Sequence, residues 1–114
     1  MTKRDPALLR FALRLNVDLG VARVLLFGSR ARDGAAPDSD YDLILVSDHF
    51  RGVPRTKRQI GLRRLFYCVG GHAPMDLICL TPEEFEDAAR RETLIAAVLP
   101  HAIDLLPEPA PATT

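Results

Sequence analysis

The chain has 114 residues, 47% of them apolar and 26% charged, with a formal net charge of zero. At that length one domain is expected, residues 1–106, without room for a second lobe. The neutral balance and the 6% aromatic content argue against a nucleic-acid surface, and no run reaches the roughly 18 apolar residues of a membrane span.

Asp5-Pro6 is a helix start, since Asp can cap and Pro fits the first turn. Leu8, Phe11, Leu15 and Leu19 then recur at helical spacing, which predicts a helix over about 5–18 that braces a sheet. Arg10 and Arg14 interrupt the apolar run that a signal peptide would need. Residues 21–27 read as a buried strand and residues 29–32 as a short helix ended by Asp33-Gly34. Pro37-Asp38 turns the chain into a second strand over 41–47, and His49 to Gly52 reads as loop. Leu62, Leu65, Phe66 and Val69 form the apolar stripe of a helix over about 54–69, stopped by Gly70-Gly71. A strand follows at 75–80. Thr81-Pro82-Glu83-Glu84 has the capping-box pattern and opens a helix reaching about Leu99, ended by Pro100. Residues 102–106 read as a last short strand, and 107–114 as an extended Pro-rich tail.

Charge is unevenly placed. Between His49 and Pro74 there is no acid, while Arg51, Arg55, Lys57, Arg58, Arg63 and Arg64 are basic. Such a segment suits a polyphosphate or an acidic partner, and equally a solvated helix face. Cys68 and Cys79 lack metal spacing and read as buried reduced thiols, which fits a cytoplasmic protein. His49, His72 and His101 read as surface or structural residues, with His72 close to the rim of any cleft near the third strand.

The chemistry gathers around the second strand. Asp40 and Asp42 are two apart at its mouth, so on a strand both face the same way while Tyr41 turns into the core. Two carboxylates on one face repel each other, and a hard divalent cation such as Mg²⁺ is the usual offset. Gly28-Ser29 lies where a strand hands over to a helix, where free backbone N–H groups favour an anion.

Gly28-Ser29, ten residues, then Asp40-Tyr41-Asp42 resembles the signature of the DNA polymerase β-like nucleotidyltransferases, in their small stand-alone minimal branch. Asp76 matches the third carboxylate of that family. The resemblance implies an α+β fold, with a small mixed sheet of three to four strands braced by about four helices. It also implies two Mg²⁺ ions held by Asp40, Asp42 and Asp76, with Asp76 able to take the proton of an attacking hydroxyl. Gly28 and Ser29 would hold a nucleoside triphosphate, expected to be ATP, together with Arg32. Arg30 and Arg32 are two apart and do not share a helix face, so at most one meets the triphosphate and the other is left for an acid. The implied reaction moves a nucleoside monophosphate to a hydroxyl. The implied partner is a helical HEPN-type toxin protein, and a homo-oligomer stays open. A contact-only binding module and a small-molecule, aminoglycoside-type transferase are the alternatives. Fold does not choose among them.

Overall fold

The structure is a computed structural model and describes residues 6–31 and 39–106. The expectations placed on Asp5, Arg32, Asp33-Gly34, the Pro37-Asp38 turn and the tail 107–114 lie outside the described residues. In chain order come α1 (Pro6–Leu19), β1 (Arg23–Phe27), β2 (Tyr41–Val46), α2 (Leu62–Cys68), β3 (Met75–Leu80), α3 (Pro82–Arg90), α4 (Leu94–Val98) and β4 (Ile103–Asp104). One sheet has the order β3-β2-β1-β4. β1 runs antiparallel to β2 and β4, and β2 runs parallel to β3. The expected mixed α+β architecture is therefore present. Among the described residues no helix is long and apolar enough to cross a membrane.

Strand alternation divides the core in two. On one face Val24, Leu26, Tyr41, Leu43, Leu45 and Met75 pack with Leu8, Phe11 and Leu15 of α1 and Leu62 and Phe66 of α2. On the other, Leu25, Ile44, Val46 and Leu80 pack with Phe85 of α3 and Ile95 of α4. Phe66 is the hub of the first layer: its ring meets those of Phe11 and Tyr41 edge-on, at 5.4 and 5.5 Å between centroids. Gly71 lies so close beneath that ring that any Cβ there would collide with it.

Two helices are shorter than the pattern predicts. The expected helix over 54–69 is a 3-10 turn at Arg55–Lys57 followed by α2 alone, because Gly61 takes the left-handed conformation at φ 85°. Upstream of Leu62 there is little apolar surface to bury on that side, and Ile60 is exposed. The helix expected from 82 to 99 is split. Thr93 donates its hydroxyl to the Ala88 carbonyl and accepts from the Ala96 N–H, so it caps α4 as a second start. The Thr81–Glu84 capping box is present as read.

The Arg-rich segment mainly holds the fold together. β3 is an edge strand, with a row of backbone groups that needs cover. Arg63 donates to the Met75 carbonyl at 3.1 Å and Arg58 to the Cys79 carbonyl at 3.0 Å. Arg58, nearly buried, also bridges to the Val53 carbonyl and to Glu84 at 2.5 Å. Arg51 meets Asp48 and Glu83, and Arg55 meets Glu84. Cys79 is buried as expected, whereas Cys68 is an exposed free thiol on the outer side of α2.

The Arg58 hydrogen bond, aided by the Thr81 N–H and opposed by burial, holds the Glu84 carboxyl down at about 2, from an ordinary 4.5. A depressed carboxylate stabilises the fold above its ordinary value, and that stability is lost as pH falls towards the depressed one. Glu84→Gln keeps the capping geometry but removes the charge facing Arg58. It is expected to cost about 1–3 kcal/mol at neutral pH, and to flatten acid unfolding between pH 4.5 and about 2, as read by thermal unfolding.

Candidate active site

The ends of three strands meet at one side of the sheet. Phe27 is the Cα partner of Asp42 across β1 and β2, and Asp42 is the Cα partner of Asp76 across β2 and β3. Directly paired residues share a sheet face, so Phe27, Asp42 and Asp76 form a row across three strands. The row lies on the face covered by α3 and α4, because Ile44, Val46 and Leu80 follow it in alternation. Tyr41 points to the opposite face and is buried there, as the alternation predicts.

Asp42 is half-buried, while Asp40, just before β2, and Asp76 are exposed. Burial raises the Asp42 carboxyl above its ordinary 3.8, and the neighbouring charges of Asp76 and then Asp40 raise it further. Asp40 and Asp76 thus both lie close enough to act on Asp42. Among the described residues, however, no three His, Cys, Asp or Glu side chains are arranged as a ready-made metal cage.

The sequence places Gly28 immediately after β1, and the structure gives two reasons for a glycine there. Its φ is 75°, in the left-handed region, and a Cβ would run into the Asp42 carboxylate. The Asp42 oxygen therefore lies over the Gly28 backbone. Ser29 follows, exposed, in a 3-10 turn spanning Gly28–Ala31. An anion bound at these N–H groups would sit beside a carboxylate, a contact that is unfavourable without a cation between them. All-oxygen carboxylate donors suit a hard cation of the Mg²⁺ kind, so the residues present fit that group.

Arg30, half-buried, reaches back to the entry of β2. It donates from Nε to the Ser39 carbonyl at 2.9 Å and lays its guanidinium over the Tyr41 ring at 4.3 Å. It thereby ties the turn after β1 to the entry of β2. Beside Gly28 opens a cavity of about 420 Å³, lined by Phe27, Gly28, Ala31, Ala97, Val98 and His101. Nothing in the sequence joined Phe27 to Ala97 or His101, which meet only through the fold. His49, His72 and His101 are all exposed as expected, and His72 is not among the residues lining this cavity.

The family model of the nucleotidyltransferase domain matches residues 8–110. No curated protein is similar enough to the chain to count as a relative. Among solved structures, the fold is similar to that of a candidate nucleotidyltransferase from Sulfolobus solfataricus, with a TM-score of 0.50 and 21% identity over 91% of this chain and 89% of that one. At that identity the likeness is one of fold. The match over nearly the whole chain places it: this protein belongs to the nucleotidyltransferase-domain family, whose general activity is nucleotidyl transfer.

Proposed function

We propose that the chain is a Mg²⁺-dependent enzyme that transfers a nucleoside monophosphate, AMP from ATP in the first instance, to a hydroxyl group. The observation that carries this reading is the pairing of Asp42 with Asp76 across β2 and β3, beside Asp40 and over Gly28. Asp40, Asp42 and Asp76 would hold two divalent cations. When bound, these supply charge neutralisation at the attacking and leaving oxygens of the displacement. The Gly28 and Ser29 N–H groups and the Ser29 hydroxyl would bind the β- and γ-phosphates, and Arg32 would add a positive charge there. The acceptor oxygen attacks the α-phosphorus, the new O–P bond forms, and the bond to the bridging oxygen breaks to release pyrophosphate. Asp76, exposed on the edge strand, would take the acceptor's proton.

The acceptor we propose is a hydroxyl on a partner protein of the helical HEPN type. The outer face of α1 supports a protein partner, since Leu9, Leu13 and Val17 stand exposed along one stripe. The same stripe would serve a contact-only binding module. Incubation with α-labelled triphosphates, Mg²⁺ and the partner separates the two. Label on the partner with release of pyrophosphate is expected from wild type and not from Asp42→Asn. Partner control by Asp42→Asn equal to wild type, with no label transferred, would establish the contact-only reading instead.

A further inference from the structure

We infer that the cavity beside Gly28 is the nucleobase subsite of this enzyme, with Phe27, Ala97, Val98 and His101 as the residues that touch the base. The inference rests on the nucleotidyltransferase reading and adds to it where the nucleoside lies. Phe27 stands on the same sheet face as the Asp42 and Asp76 carboxylates, one strand further along the row. A nucleotide reacting at those carboxylates therefore lies on the face covered by α3 and α4. The opposite face is closed there, because Tyr41 is buried, with Phe66 edge-on against its ring and the Arg30 guanidinium over it.

On the open face, Gly28 is shared between the two features: its backbone lies under the Asp42 carboxylate and its surface forms one wall of the cavity. The other walls suit a flat heteroaromatic ring. Phe27 is an aromatic ring, Ala31, Ala97 and Val98 are small or flat aliphatic side chains, and His101 brings an imidazole able to donate or accept a hydrogen bond. A concave, largely apolar site with one polar group is how a base is gripped, whereas a phosphate would need donors or positive charge. Apart from Phe27, the residues that would touch the base thus come from α4 and the turn after it, beyond all three carboxylate-bearing positions in the chain.

The test uses Ala97→Gln, which places a long neutral side chain into the cavity from an exposed position on α4, and His101→Ala. Dissociation constants with Mg²⁺ are measured by calorimetry for ATP, GTP, CTP and UTP, and for tripolyphosphate, which has no base. The expected result is a loss of about tenfold or more in affinity for the preferred triphosphate in Ala97→Gln, with tripolyphosphate unchanged. His101→Ala is expected to narrow the differences among the four bases. Triphosphate binding by Ala97→Gln within about twofold of wild type, or an equal loss for tripolyphosphate, would overturn the subsite assignment. If neither tripolyphosphate nor any nucleotide binds wild type, the nucleotidyltransferase reading fails and this inference fails with it.

Discussion

Asp42→Asn is expected to lower nucleotidyl transfer by about three orders of magnitude, and at the same time to stabilise the metal-free protein at neutral pH. The first effect follows because cation-borne charge stabilisation is worth several kcal/mol, and each factor of ten in rate is about 1.4 kcal/mol. The second follows from the sign of the Asp42 shift. Burial, then Asp76 and Asp40, raise its carboxyl above 3.8, so the folded state holds this proton more tightly than the unfolded state. Stability linked to Asp42 is therefore full below 3.8 and falls as pH rises through the raised value. Asparagine has the same shape without the charge, so its stability curve lacks that fall. Pyrophosphate release measures the first effect. Thermal unfolding with a chelator, at several values between about pH 4 and 8, measures the second.

Phe66→Ala is expected to cost about 3–5 kcal/mol, a large share of the roughly 5–15 kcal/mol that holds a domain of this size. Phe66 is fully buried, meets the Phe11 and Tyr41 rings edge-on and closes over Gly71, so truncation leaves a cavity at the meeting point of α1, α2 and β2. The neighbouring Tyr67 is 52% exposed, and Tyr67→Ala is expected to stay within about 0.5 kcal/mol of wild type. Denaturant unfolding of the two variants makes the comparison. The loss also reaches the active site, because Phe66 supports Tyr41, the residue between Asp40 and Asp42. A less rigid Tyr41 lets both carboxylates wander, so activity in Phe66→Ala is expected to fall even at temperatures where it remains folded.

What the sequence made legible is what local rules govern. Strand alternation placed Asp42 and Tyr41 on opposite faces, and the family resemblance carried by the Gly-Ser and Asp-x-Asp spacing pointed to Asp76, which the sheet does pair with Asp42. The apolar stripe from Leu62 to Val69 marks α2, which is shorter than the pattern predicts because nothing local says that Gly61 is left-handed. Thr93 falls inside the helix expected from 82 to 99, since its capping role depends on which carbonyl its hydroxyl reaches. Arg58 and Arg63 were legible as charges and not as covers for β3, because the carbonyls they bond belong to a distant strand. The same limit hid the cavity, whose walls come from β1, the turn after it and the end of α4. The place of Arg30 over the Tyr41 ring was equally hidden, because the Ser39 carbonyl it bonds lies at the entry of the next strand.

The central claim is that Asp40, Asp42 and Asp76 with Gly28 and Ser29 form one site for metal and triphosphate together. Thermal unfolding of wild type and Asp42→Asn, with Mg²⁺ alone, each triphosphate alone and both combined, tests it without knowledge of the acceptor. A ligand at 100 times its Kd adds about 2.7 kcal/mol to the folded state. The account predicts that wild type gains stability of that order only when metal and triphosphate are both present, and that Asp42→Asn gains none. Stabilisation of Asp42→Asn equal to wild type, or no response of wild type to any triphosphate at any Mg²⁺ concentration, would contradict it.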